Sequence, residues 1–217
     1  VVYQPLPSGR PLYVIAPPGL VRSVPPPPPK RILPPTRWGL NLRVEGVAMA
    51  RGRSTRGDAG MGGMGVSFRF RPVQAFAIDV GLDVLGGRDY NGFVRTELPL
   101  SLNGILYVNP KSRVQFYLIG GLDLSFAEVR SDRPSPLLSS GYMGGDYRAE
   151  YSYFGGHGGL GLEFRLSRHV ALDLDGMAFV RSRTDDGLAP EFYDPRTGRT
   201  TNTSGGGIFR FGVTFWW

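Results

Sequence analysis

Gly206-Gly-Ile-Phe-Arg-Phe-Gly-Val-Thr-Phe-Trp-Trp217 closes the chain. Phe209, Phe211, Val213, Phe215 and Trp217 share one parity, and Arg210, Gly212 and Thr214 occupy the other. Alternation with period two is the mark of a β-strand, here with one large and wholly apolar face. In water such a strand is an aggregation-prone edge. The pattern therefore predicts that the apolar face meets lipid and that the edge pairs with another strand.

The same alternation runs backwards through the chain as far as Trp38. Seven further strands are predicted. Their apolar sets begin with Trp38, Leu40, Leu42 and Val44, then Met64, Val66, Phe68 and Phe70, then Phe76, Ile78, Val80, Leu82 and Val84. They continue with Leu98, Leu100, Leu102 and Leu106, then Val114, Phe116, Leu118, Leu122 and Leu124. Leu160, Leu162 and Phe164, followed by Val170, Leu172, Leu174 and Val180, complete the series. Connections are expected at 51–60, 71–74, 86–91, 109–112, 130–148, 167–169 and 182–205, alternating long and short. The apolar parity over these spans carries no charge. The opposite parity carries Arg43, Glu45, Arg69, Asp79, Asp83, Glu97, Asp123, Glu163, Arg165, Asp173, Asp175 and Arg210.

A soluble sheet places its charges outside. A membrane barrel does the reverse, with short turns at one end and long loops at the other. About 9–11 residues suffice for a tilted strand to cross a bilayer. No run approaches the roughly 18 apolar residues that a spanning helix needs. The expected fold is all-β: an eight-stranded antiparallel up-and-down transmembrane β-barrel over 38–217, preceded by an extended Pro-rich segment over 1–37. An eight-stranded barrel has an interior that side chains just fill, so the inward charges should form a paired network that plugs the lumen. An open pore is not expected.

Residues 1–37 differ in kind. Pro5, Pro7, Pro11, Pro17 and Pro18 lead to the run Pro25 to Pro29, then Pro34 and Pro35. Proline neither donates to a ladder nor continues a helix, so polyproline II is predicted. Leu12, Tyr13, Val14 and Ile15 form a candidate docking anchor for a periplasmic or membrane partner, the alternative being a semi-rigid spacer. The net charge of +7 concentrates here, in Arg10, Arg22, Lys30, Arg31 and Arg37 without a carboxylate. Nucleic-acid binding is not expected, since the segment lacks aromatic stacking positions among its cations. The chain begins at Val1 without a basic-then-apolar leader, as a mature form with its export signal removed, or a truncated chain, would.

The absence of cysteine removes disulfides and thiolate chemistry. Only His157 and His169 are present. A zinc site would need carboxylates to complete it, and a Ser–His pair would need Ser125 or Ser152 beside His157. Neither a catalytic set nor a cofactor or metal site is predicted. Thr184-Asp-Asp-Gly187 and Tyr193-Asp-Pro-Arg196 lack the ligand spacing of a calcium loop. Trp38, Trp216, Trp217, Tyr107, Tyr151 and Tyr153 lie near predicted strand ends, where an interfacial aromatic girdle is expected.

From Trp38 to Trp217 the chain resembles the small Gram-negative outer-membrane barrels of the OmpA/OmpX type. The resemblance is carried most specifically by Phe209, Phe211, Val213, Phe215 and Trp217. It implies that these residues are the assembly signal read by the barrel-assembly machinery, with Trp217 standing where Phe is usual. It also implies an outer-membrane location amid lipid and lipopolysaccharide, both termini in the periplasm and long loops outside. A small-solute or ion conduit of the OmpW-like kind and a lipid-modifying barrel enzyme are the alternatives it leaves. A soluble lipocalin-like binder, from Thr36-Arg-Trp-Gly39, is disfavoured by the apolar outside.

Overall fold

The computed structural model describes residues 2–5, 11–14, 38–49, 59–89, 93–130, 148–186 and 202–217. The chain divides into two units, Val1–Ile32 and Leu33–Trp217. In the first, β1 (Val2–Pro5) and β2 (Pro11–Val14) pair antiparallel. Over the described residues the chain is paired strand where its prolines predict polyproline II. Pro5 and Pro11 sit at the strand ends, where a missing N–H is tolerated. Of the candidate anchor, Leu12, Tyr13 and Val14 lie in β2, and Ile15 falls outside the described residues.

The second unit is the barrel. Its strands are β3 (Trp38–Met49), β4 (Gly60–Val73), β5 (Phe76–Arg88), β6 (Val94–Tyr107), β7 (Val114–Arg130), β8 (Arg148–Arg165), β9 (Val170–Arg183) and β10 (Thr203–Trp216). Each pairs antiparallel with its sequence neighbour, and β10 returns to β3. The seam is in register from Phe215 opposite Leu40 to Gly206 opposite Met49. Past it, Trp217 N donates to Trp38 O at 2.9 Å. Closure leaves no barrel edge, so the apolar closing strand finds its partner in β3.

Outward side chains are those of the apolar parity, and they are exposed: Leu42 is 49% and Phe209 67% accessible. On β5 they run from Phe76 to Val84. That is about 27 Å along the strand, or ~21 Å of height at the usual tilt, close to the band a membrane barrel presents. Among the described residues no helix is long and apolar enough to cross a membrane, which says nothing of a barrel.

The strands outrun the apolar band at one end. β7 and β8 have 17 and 18 residues and stay paired up to Arg130 opposite Arg148. Glu128, Arg130, Arg148 and Glu150 are therefore outward-facing charges beyond the band, where the predicted strands are too short to include them. The expected long loop at 86–91 is short: β5 continues through Gly86 and Gly87 to Arg88, and Asp89 closes the connection by accepting from Phe93 N at 2.8 Å. Pro72, predicted in a turn, lies inside β4 beside an irregularity between Phe70 and Val73. The ladder is lost there, so its missing N–H costs little.

Candidate functional site: a charged lumen

Antiparallel pairing sets residues of neighbouring strands in rows across the barrel wall. One row is Arg43, Gly65 and Asp83, on β3, β4 and β5. Arg43 and Asp83 are two strands apart, about 9.6 Å at the usual spacing. They nevertheless meet in a bidentate pair, Arg43 Nε to Asp83 Oδ1 at 2.8 Å and Nη2 to Oδ2 at 2.6 Å. The glycine between them permits it: a Cβ on Gly65 would lie 1.6 Å from Asp83 Oδ1.

The device recurs. Asn103, Gly121 and His157 form a row on β6, β7 and β8, with Asn103 Oδ1 2.5 Å from His157 Nε2. Tyr117, Gly161 and Asp175 form another on β7, β8 and β9, in which Tyr117 donates to Asp175 at 3.0 Å. Cβ atoms at Gly121 and Gly161 would lie 2.6 and 2.5 Å from Asn103 Oδ1 and the Tyr117 hydroxyl. Glycine on the inward parity makes room for a polar side chain to reach across a strand.

Around these rows the carboxylates are surrounded by donors. Asp79 accepts from Ser67 (2.7 Å), Asn103 (3.0 Å) and Arg69 (3.2 Å). Asp173 accepts from Asn41 at 3.2 Å, Arg69 at 3.1 Å and the Thr214 hydroxyl. Glu163 accepts from Arg165 (2.8 Å), Tyr107 (2.9 Å) and Arg69 (3.4 Å). Arg210 donates to Asp175 at 2.7 Å. Charges removed from water persist only when so paired and hydrogen-bonded. Of the twelve charged residues singled out from the sequence, ten are buried in this lumen, and Glu45 and Asp123 are half-buried in its wall.

Arg71, Arg95 and Arg181 join them without having been singled out. Arg71 falls in a predicted turn, although its parity is that of Arg69. Arg95 and Arg181 lie on the inward parity of β6 and β9 and flank Glu97: Arg95 Nε is 2.8 Å from it, and Arg181 Nη1 contacts its other oxygen.

Aromatic rings pack on the lumen arginines at both ends. At the short-turn end the Arg71 guanidinium sits 3.8 Å over the Tyr107 ring, and Arg69 and Arg165 lie 5.8 and 5.1 Å from Trp216. At the loop end Arg181 and Arg95 face Tyr153 at 4.5 and 5.4 Å, and Arg183 faces Tyr151 at 4.7 Å. Tyr107, Tyr151, Tyr153 and Trp216 are thus lumen residues and not parts of an interfacial girdle. Parity, rather than nearness to a strand end, decides where they point. Trp38 and Trp217 alone of that set face outward, Trp38 packing on Phe70 at 4.2 Å.

The lumen contains a cavity of about 50 Å³ bordered by Glu45, Asp83, Asp123, His157, Arg181 and Arg210. It has room for roughly three to five waters. His157 reaches Asp123 at 3.1 Å through Nδ1, while Ser125 donates to Glu97 and the Ser152 backbone N–H to Asp185. Among the described residues, neither serine hydrogen-bonds the histidine. Among the described residues no three His, Asp or Glu side chains are arranged to hold a metal ion. Asp185 pairs with Arg183 at 2.7 Å, and 193–196 lies outside the described residues.

No protein-family model and no curated protein sequence matches this chain. Solved structures do. Neisserial surface protein A superposes with a TM-score of 0.55 at 14% identity, covering 83% of this chain and 97% of that one. Its fold is that of the small outer-membrane barrels. Ail of Yersinia pestis gives 0.52 at 8% identity, with 84% and 100% covered. OprG of Pseudomonas aeruginosa gives 0.51 at 12%, with 84% and 96% covered. At such identities the likeness concerns the fold and leaves the role of this chain to its own residues.

Proposed function

We propose that this protein is an outer-membrane barrel that works as an anchor and interaction platform, its lumen filled by a structural ion-pair network. One observation carries the reading: the lumen cavity bordered by Glu45, His157 and Arg210 measures about 50 Å³, too small for a solute. In this reading the long loops face outside, both termini lie in the periplasm, and lipid and lipopolysaccharide surround the apolar band. Phe209, Phe211, Val213, Phe215 and Trp217 act as the signal for the barrel-assembly machinery. Residues 1–37 dock a periplasmic or membrane partner through Leu12 to Ile15.

Planar-bilayer recording of the folded chain tests the plug: a silent barrel is expected, and discrete conductance steps would overturn it. Crosslinking in native membranes, comparing the full chain with one starting at Pro35, tests the docking segment. Loss of a crosslinked partner on deletion is expected; an unchanged set reduces the segment to a spacer.

A further inference from the structure

The two ends of the barrel treat their exposed cations differently. At the loop end, among the described residues, Arg130 and Arg148 are neutralised within the chain: Arg148 reaches Glu128 at 2.8 Å and Glu150 at 3.6 Å, and Arg130 also contacts Glu128. At the short-turn end the turn between β6 and β7 exposes Lys111 and Arg113, and the turn between β8 and β9 exposes Arg168 and His169. Neither turn contains Asp or Glu. The nearest carboxylate side chain in these strands, Glu163, is fully buried and held by Arg165 and Tyr107. Among the described residues, Lys111, Arg113 and Arg168 have no ion-pair partner. The two turns are contiguous, since Arg165 N donates to Arg113 O at 2.8 Å. The result is one exposed cluster of cationic side chains with no carboxylate side chain in either turn.

Its depth is set by its neighbours. Arg113 directly precedes the outward Val114, and Arg168 follows the outward Leu166 by two residues. Arg113 and Arg168 lie in bends, and even fully extended two residues span only about 7 Å. That is the thickness of the headgroup layer beyond the hydrocarbon. Cations at this height face lipid phosphates and do not project towards a more distant polymer.

We propose that Lys111, Arg113 and Arg168 form a binding patch for the phosphate headgroups of anionic phospholipid in the leaflet at the short-turn end. Phosphate accepts hydrogen bonds from lysine and arginine alike, and a zwitterionic headgroup offsets the attraction with its own ammonium. The assignment of that leaflet to the periplasmic side rests on the orientation proposed above.

The test is lipid selection by the full chain in nanodiscs of mixed phosphatidylglycerol and phosphatidylethanolamine, read by native mass spectrometry of retained lipid. Wild type should enrich phosphatidylglycerol. The variant K111Q/R113Q/R168Q should lose the preference by roughly fivefold for each cation removed, while R130Q/R148Q at the loop end should keep it. Heat-dependent gel mobility verifies that each variant is folded. Equal enrichment in wild type and the triple variant overturns the proposal. So does equal loss in the loop-end variant, or displacement of the lipid by excess inorganic phosphate, which would mark a free-anion site. Orientation is scored separately, by labelling Ser112→Cys on intact cells. Labelling from outside would reverse the orientation and leave the lipid result standing.

Discussion

Replacing Gly65 with alanine tests whether glycine is what lets the lumen network form. The substitution ordinarily stabilises a site that can accept a methyl group, by about 0.4–1 kcal/mol, through the unfolded chain. Here the new Cβ falls 1.6 Å from Asp83 Oδ1 and 3.0 Å from Leu82 O. Asp83 must swing away, leaving buried Arg43 with Asp79 at 3.8 Å in place of a bidentate partner. Stranding one member of a buried pair costs about 3–5 kcal/mol. Because the displaced carboxylate stays nearby, we take the low end, for a net loss of about 2 kcal/mol. The assay is equilibrium urea unfolding from lipid vesicles, as a cycle with Asp83→Ala. Once Asp83 is gone, Gly65→Ala should cost under about 1 kcal/mol, so that most of its effect appears as coupling. Gly46→Ala is the control: it faces outward, no atom lies within 4 Å of its Cβ, and it should be neutral or stabilising. A Gly65→Ala cost within about 0.5 kcal/mol of zero, or one equal in both backgrounds, refutes the reasoning.

Tyr107→Phe removes the donor that Glu163 receives at 2.9 Å and should lower stability by about 1–2 kcal/mol in the same unfolding assay. Tyr153→Leu removes the ring that Arg95 and Arg181 share; a loss of about 1–3 kcal/mol is expected from two desolvated cation–π contacts. Phe215→Asp puts a carboxylate on the lipid face of the closing strand beside Leu40. It should abolish insertion in cells, seen as loss of the heat-dependent gel shift, and normal insertion would remove Phe215 from the assembly signal.

The barrel was legible because a period of two acts within one strand, where Phe209 to Trp217 or Phe76 to Val84 declare their face unaided. The glycine rows were not. That Gly65 stands between Arg43 and Asp83 depends on the register of three strands, which no single strand's pattern contains. The visible trace is that glycine sits on the charged parity, at Gly65, Gly121 and Gly161, where an aliphatic residue would block the crossing. Arg71 was obscured by Pro72, because proline signals a turn more loudly than alternation signals a strand. Tyr107, Tyr151, Tyr153 and Trp216 show two cues in conflict. Nearness to a strand end suggests an interface and parity suggests the lumen, and parity prevails because the strand places side chains before the membrane does.

The claim on which everything else rests is that the apolar parity faces lipid. The chain contains no cysteine, so single cysteines at Leu82, Leu100, Leu102 and Leu122 give an unambiguous readout. In the folded protein in vesicles, these positions should refuse a water-soluble maleimide that labels them fully in urea. Rapid labelling of the folded, vesicle-bound protein at those four positions would contradict the account.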